Sequence, residues 1–443
     1  MALGGVFMTD TDGNIGKEIS NLTEKVCGLV FDISAQTDIW TKGAGVKLAA
    51  ALKDTVVELN SIEDADTLGL AAYTGEKDED TNSKDFLAGI PYYHIEHFFT
   101  ACNNSGRLFI AFADCSSNWN ALVDMQKAAH GTINQFGVWT EQRLWKQTDT
   151  SAETYSIQIV SDLQSTAKQL ADSYNAPCVV LLNANTSKVA TTSGDATKVV
   201  FSKIPTCIVD ARYVSVLLGQ GLDTNVTKMQ CALESTTPVG NVGAALGELT
   251  KCNVGECMGW VRSHDLIGYF PDIEFGFGDS EVESNALKNS TKYSSLSQQQ
   301  LDTLDNLGYV FLMRYTGLEG HVYFSGDKTC SDGDYCTIAR NRTINKSRRS
   351  VRTALLPYVN SPIKVNRSNG QLSAAQITVF TNLISDILTA MTDAEEISGM
   401  GKITIPATQN ILKNDKLVIQ YTIVPLGCAK TIEVTEGLVL SAS

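Results

Sequence analysis

The sequence predicts a multidomain chain of mixed class, an outer α/β part followed by an α+β part, and three observations carry that prediction. Its 443 residues exceed what one hydrophobic core usually fills, so two or three domains are expected. From Lys25 to about Ala211, strand-like and helix-like segments alternate in the rhythm of α/β layers. The polar stretch FGDSEVESNALKNSTKYSSLSQQQ at 277–300 then separates this region from a C-terminal part with sharper local signals. The expected organisation is an arm over 1–24, an α/β region over 25–300, a second domain over 301–430 and a terminal strand over 431–443.

Taken in order, KVCGLVFDIS reads as a strand, GVKLAAALKDTVVEL as a helix, YHIEHFF as a short helix and RLFIAFAD as a strand. SNWNALVDMQKAAH and SIQIVSDLQSTAKQLADSYN read as helices, PCVVLLNA as a buried strand, and CIVDA and VSVLLGQG follow it. In the C-terminal part, Ser373 followed by Gln376 forms a capping box, with Leu372 and Ile377 placed as a hydrophobic staple, so a helix is expected to begin there. Its apolar positions Ile377, Phe380, Ile384, Leu388 and Met391 recur at three- and four-residue spacing and predict one buried face. Upstream, TINKSRRSVRTALLPYV places Ile344, Val351 and Leu355 on one helical stripe, flanked by Lys346, Arg348, Arg349 and Arg352 and stopped by Pro357.

The chain ends in KLVIQYTIVPLGCAKTIEVTEGLVLSAS, which reads as two strands with nothing after the second to cover it. Ile432 and Val434 alternate with Thr431, Glu433 and Thr435, and Leu438, Val439 and Leu440 extend the pattern. An uncovered edge of this kind invites pairing with another chain.

A formal net charge of −14 argues against a general nucleic-acid or anionic-membrane binder. The charge is unevenly spread, because residues 301–443 carry 14 Lys and Arg against 13 Asp and Glu, leaving −15 on the first 300. Between Asp334 and Asp386 there is no acid, while Arg340, Arg342, Lys346, Arg348, Arg349, Arg352, Lys364 and Arg367 all fall there. That segment is expected to face something negative. No signal-peptide pattern and no apolar run of roughly 18 residues occurs, so assembly in the cytoplasm without membrane insertion is expected. The 11 cysteines are scattered singly and read as reduced, buried side chains.

Catalytic and cofactor patterns are thin. GQGLDT has only the start of a dinucleotide fingerprint, with Thr224 where a third glycine belongs, and GNVGAALGELT lacks the Lys-Ser/Thr of a phosphate loop. Gly240, Gly243 and Gly247 are instead expected to let a helix pack closely. His94, Glu96 and His97 lack a further ligand cluster, and CNVGEC and CSDGDYC lack zinc-ligand partners, so no metal, cofactor or catalytic residue is assigned.

Three stretches, LGYVFLMRYTGLEGHVYFSGDKTC, DYCTIARNRTINKSRRSVRTALLPYVNSPIKV and DKLVIQYTIVPLGCAKTIEV, together resemble the tail sheath proteins of contractile phage tails and related injection systems. The likeness is greatest to a branch often catalogued as a domain of unknown function. It covers the last 140 or so residues well, and VGNVGAALGELTKCNVGECMGWV and YYHIEHFF extend it upstream. The resemblance implies a non-enzymatic subunit that stacks as helical hexameric rings around a tail tube and contracts to drive the tube through a target envelope. It implies an inner domain, built from the C-terminal region and an N-terminal arm, whose sheet is completed by terminal strands of neighbours. The strand-exchange residues are then Val6, Phe7 and Met8 of the N-terminal arm and Ile432, Val434, Leu438, Val439 and Leu440 of the C-terminal one. Arg348, Arg349 and Arg352 are expected to face the tube, an inference from charge alone. Baseplate and tail-terminator proteins are further implied partners, within a virion tail or phage-tail-like particle. Two other readings stay open: the sheath of a cell-anchored secretion apparatus, and a subtilisin-like hydrolase, for which no Ser-His-Asp set is evident.

Overall fold

The computed structural model describes residues 24–34, 52–72, 86–149, 154–186, 191–192, 195–199, 201, 204–221, 239–270, 272–275, 281–283, 286–288 and 291–438. The α/β unit opens with β1 (Val26–Asp32), β2 (Val56–Leu59), α1 (Ile62–Thr67), α2 (Phe86–Ala101), β3 (Arg107–Ala113) and α3 (Asn120–Ala128). It continues through β4 (Gln135–Arg143), α4 (Gln158–Asp172), β5 (Val179–Asn185), β6 (Val214–Leu218), α5 (Val242–Lys251), α6 (Gln298–Asn306), β7 (Val310–Met313) and β8 (Tyr323–Phe324). The C-terminal unit contains α7 (Ile338–Leu355), α8 (Ala374–Asp393), β9 (Ile397–Thr404) and β10 (Gln420–Pro425).

The large sheet has eight strands in the order β8-β7-β6-β5-β4-β1-β3-β2. Its six central strands are parallel, and β2 and β8 are antiparallel at the two edges. Parallel strands need covered faces, and both are covered here. One face packs Leu122, Met125, Val160, Leu163 and Leu170 of α3 and α4 against Val30, Phe136, Val138 and Val180. The other packs Ile95, Phe98, Leu246 and Leu249 of α2 and α5 against Leu29, Ile110, Leu181 and Leu217.

Strand β4 was not expected from the sequence. Its segment QFGVWTEQR mixes polar and apolar residues, yet Gln135 to Thr140 are buried between β1 and β5. Residues 301–330, expected in the C-terminal domain, also lie with the α/β unit, because β7 extends the sheet in parallel from β6. The polar stretch before them therefore falls within this unit, its described parts forming a small hairpin (Glu281–Glu283 with Ala286–Lys288) and the start of α6, and composition alone does not distinguish such a segment from a domain linker. Most described cysteines are buried and all are unpaired, as expected; Cys428 is the exposed one.

Gly243 and Gly247 account for the closest helix packing. A Cβ on Gly243 would lie 2.1 Å from the His94 carbonyl oxygen, and one on Gly247 would lie 2.5 Å from that of Phe98. Gly243 and Gly247 are thus a contact surface for α2, as the sequence reading expected, whereas Gly240 precedes the helix at positive φ and lies against Asn183.

In the C-terminal unit α8 begins as expected, with the Ser373 side chain accepting the Gln376 backbone N–H. Phe380, Ile384, Leu388 and Met391 are buried, each worth roughly 1.5–3 kcal/mol of transfer free energy. By length and composition alone this helix could cross a membrane, but its apolar stripe packs on Val351, Ile397, Ile403 and Ile423 within the unit.

Gly243→Ala is expected to lower stability by about 1–3 kcal/mol through overpacking against α2. Helix propensity alone predicts a gain of roughly 0.5–1 kcal/mol, so the sign of the change in the denaturant midpoint decides between them.

Candidate functional site

The C-terminal sheet consists of two strands only. β9 and β10 are antiparallel, from Ile397 opposite Pro425 to Thr404 opposite Gln420, with irregularities around Gly399 and Gly401. Ile397, Ile403, Tyr421 and Ile423 turn toward α7 and α8. Met400, Lys402, Thr422 and Val424 turn outward and are exposed. Among the described residues neither outer edge of this hairpin is paired, so one row of backbone donors and acceptors on each strand has no strand partner. A two-stranded sheet is marginal by itself, and here α8 supplies the cover that holds it.

The chain leaves β10 as a strap. Leu426 lies over Gly255, close enough that a Cβ there would be 2.8 Å from Leu426 Cδ1, and Lys430 Nζ pairs with Asp305, which also binds Lys328. Beyond Lys430 the segment to Leu438 forms no strand, and Ile432 and Val434 are each 80% exposed. Val439 and Leu440, like Val6, Phe7 and Met8, lie outside the described residues.

Helix α7 departs from the expectation of an apolar stripe. Val351 is buried as expected, but so are Asn341, Arg342, Thr343, Asn345 and Ser347. The reason is what this face meets. Arg342 donates to the carbonyls of Cys252 (3.2 Å) and Asn253 (3.3 Å), at the C-terminal end of α5. Arg348 donates to the Ala171 carbonyl (2.7 Å) in the last turn of α4 and lies 3.5 Å from Asp172. Arg349 donates to the Pro177 carbonyl (3.0 Å), just before β5, and pairs with Glu24, just before β1. Lys346 pairs with Glu396. The helix thus crosses the base of the parallel sheet, where strands begin and helices end. Cations there satisfy the last carbonyls and the negative end of the helix dipole.

Of the three arginines expected on the tube side, two are therefore engaged by their own chain, and Arg352 alone is exposed without a side-chain partner among the described residues. The sequence could not reveal this, because Glu24 and Asp172 are more than 170 positions away.

At the opposite end of the sheet, where α/β proteins bind ligands at the switch in strand order, the described residues include one conspicuous carboxylate. Asp32, at the end of β1, is buried and accepts from Ser34 N and Oγ, Cys115 N, Thr140 Oγ1 (2.6 Å) and Gln142 Nε2 (2.7 Å). Five donors on one carboxylate leave it no capacity for a substrate. His94 is buried under the start of α5, its Nε2–H donating to the Val239 carbonyl (2.9 Å) and its Nδ1 facing the Gly243 N–H (3.4 Å). Burial, with His97 adding to it, pushes its pKa down to about 3, so the ring is neutral.

One nucleophile–base–acid sequence escaped the sequence reading. Cys252 Sγ is 3.2 Å from His264 Nε2, and His264 Nδ1 is 3.0 Å from Glu248 Oε2. A carboxylate only accepts, so Nδ1 carries the proton and Nε2 faces the thiol. All three side chains are buried and burial pushes the thiol's pKa far up, so the arrangement satisfies polar groups between α5 and the following loop and offers no reactive thiolate. Among the described residues no cluster of His, Cys, Asp and Glu is arranged to hold a metal ion.

Arg349→Glu is expected to cost about 1–3 kcal/mol, since it places two carboxylates at a mostly buried junction and leaves the Pro177 carbonyl without its donor. A thermal melt reads this, and an unchanged midpoint would mean that the junction contributes nothing. For His94 the folded pKa lies below the ordinary 6.5, so the unfolded chain binds the extra proton between about pH 6.5 and 3. Its contribution is intact above that window and falls by about 1.4 kcal/mol per pH unit inside it. Denaturant titrations at pH 7.5 and 5 should show the loss, and His94→Gln should flatten it.

Over nearly its whole length the chain has the fold of contractile sheath proteins. It matches a chain of the anti-feeding prophage helical sheath in the contracted state at 12% identity and TM-score 0.50, covering 99% of both chains. A chain of the sheath complex of an extracellular contractile injection system, PVC, also contracted, matches at 10% identity and TM-score 0.52, over 99% of this chain and 98% of that one. A chain of the six-fold symmetrised anti-feeding prophage baseplate matches at 12% identity and TM-score 0.51, over 99% and 100%. No curated protein sequence matches the chain. Models of the DUF2586 N-terminal and C-terminal domains match residues 3–328 and 334–443, meeting where the large sheet ends and α7 begins, and the chain belongs to the DUF2586 family.

Proposed function

We propose that this chain is a structural subunit of a contractile tail sheath, stacking as helical hexameric rings around a tail tube and contracting to drive the tube through a target envelope. The observation that carries the reading is the open hairpin of β9 and β10, with the C-terminal strap leaving beside it. The end of the N-terminal arm, Glu24, is fixed to Arg349 of α7. Arms that leave from such anchors can complete the sheets of neighbouring copies. Main-chain hydrogen bonds then give affinity, and alternate side chains give register.

In this reading Ile432, Val434, Leu438, Val439 and Leu440 enter one free edge, and Val6, Phe7 and Met8 supply the other strand. Rings joined by such tethers rotate and slide without separating. If the contracted lattice buries some 100 Å² more apolar surface per subunit, each contributes about 2.5 kcal/mol, and the sum over many subunits moves the tube without nucleotide hydrolysis. The tube is a partner of the C-terminal unit, with Arg352 facing it, and baseplate and terminator proteins cap the ends. Assembly takes place in a bacterial cytoplasm, for a phage tail or a phage-tail-like particle. One fused chain favours this kind over a cell-anchored secretion sheath, and the buried state of Cys252 and the saturation of Asp32 weigh against a hydrolase.

Truncation after Lys430 tests the reading, since it keeps the strap anchored to Asp305 and removes the exposed segment. The truncated chain should keep its circular dichroism and melting temperature but no longer form long tubes in negative-stain microscopy. Unfolding would place the segment in the chain's own core instead, and normal tubes would end the strand-exchange reading. Deleting residues 1–12 should likewise spare the fold and weaken assembly.

A further inference from the structure

The basic segment of the C-terminal unit divides in space. Arg342, Arg348 and Arg349 are consumed at the base of the α/β unit, as described above, and Lys346 is paired with Glu396 inside its own unit. Lys364, Arg367, Lys413 and Lys416 lie at the far end, in two loops some 40 residues apart in sequence that the fold locks together. The first is a hairpin in which Val365 bridges Leu372 and Asn366 N donates to the Gln371 carbonyl (2.7 Å). The second begins at Asn410, which bridges Gln371, donates to the Asn369 carbonyl (3.2 Å) and caps the short turn at 411–414. The smaller apolar cluster of Leu372, Phe380 and Ile405, with Ile411, Leu417 and Ile419 against it, lies beneath both loops. The tip is therefore a built surface and not two separate tails.

All four cationic side chains are exposed, none has a side-chain partner among the described residues, and Asp415 is the one acid in the two loops. Leu412, next to Lys413, is 71% exposed, and Asp415 separates the two lysines of the second loop. A surface with four unpaired cations, one acid and an exposed leucine has the composition of an interface that takes an acidic partner.

We infer that this tip docks on the acidic α/β unit of a second copy of the chain, making an ionic contact between subunits that is separate from strand exchange. The occupant follows from charge complementarity, because the first 300 residues carry a formal −15 and the cations nearest to them are already spent within the chain. That unit also holds like charges in proximity, as at Tyr92, whose pKa is raised by burial and by neighbouring Asp66, Glu96 and Glu63. The inference rests on the reading of the chain as a self-assembling subunit.

The test uses the full chain, first alone and then with tube protein added. Equal amounts of 14N- and 15N-labelled protein are assembled together and treated with a carbodiimide, which joins lysine to carboxylate without a spacer. Mixed-isotope crosslinks from Lys364, Lys413 or Lys416 to Asp or Glu within residues 24–275 are expected. The variant K364E/R367E/K413E/K416E should keep its circular dichroism, and its critical concentration for assembly should rise at least about tenfold, with a similar rise for the wild type in high salt. A variant that assembles at the wild-type concentration, or a tip that crosslinks only to an added tube protein, overturns the inference and leaves the sheath reading standing. Failure of the wild-type protein to assemble at all overturns both.

Discussion

Helix α7 holds the two units of this protein together by placing guanidinium groups on carbonyl oxygens. Helices α4 and α5 both end at the base of the parallel sheet, and helix ends carry carbonyls that no intrahelical donor can reach. Arg348 and Arg342 occupy those positions, one on each face of the sheet, and Arg349 sits between them at the entrance to β1 and β5. An apolar α7 would leave these carbonyls without their donors, at a cost of about 1–3 kcal/mol for each one that is buried. The direction in which the C-terminal unit projects follows from this junction, and so does the point from which each arm emerges.

Polar junctions of this sort suit a part that transmits force. Hydrogen bonds to carbonyls at fixed positions specify one orientation, whereas an apolar contact of similar area tolerates sliding. The C-terminal unit, held at its base, presents an incomplete sheet on one side and a basic tip at its far end. How these two features are presented is then set by the geometry of α7.

Among the described residues of the α/β unit no cluster could hold a metal ion, and at the end of the sheet where ligands commonly bind Asp32 is fully hydrogen-bonded. The close approach of α5 to α2 through Gly243 and Gly247 leaves no gap between those helices. The buried Cys252, His264 and Glu248 side chains satisfy one another.

Much of this was legible in the sequence because it depends on neighbours a few residues apart. The α/β alternation, the N-cap at Ser373, the buried stripe of α8 and the glycines that let α5 approach α2 all follow from local spacing. Strand β4 was missed because its burial comes from β1 and β5 on either side and not from its own alternation. The roles of Arg348 and Arg349 were out of reach for the same reason: a cation's partner is decided by what the chain brings to it, and Glu24, Ala171 and Pro177 arrive from far away in sequence. Composition determined that a basic segment exists near residue 350. Only the tertiary structure decided which of its charges are spent holding the fold and which remain free to meet another molecule, because pairing depends on distance in space and sequence order does not record it.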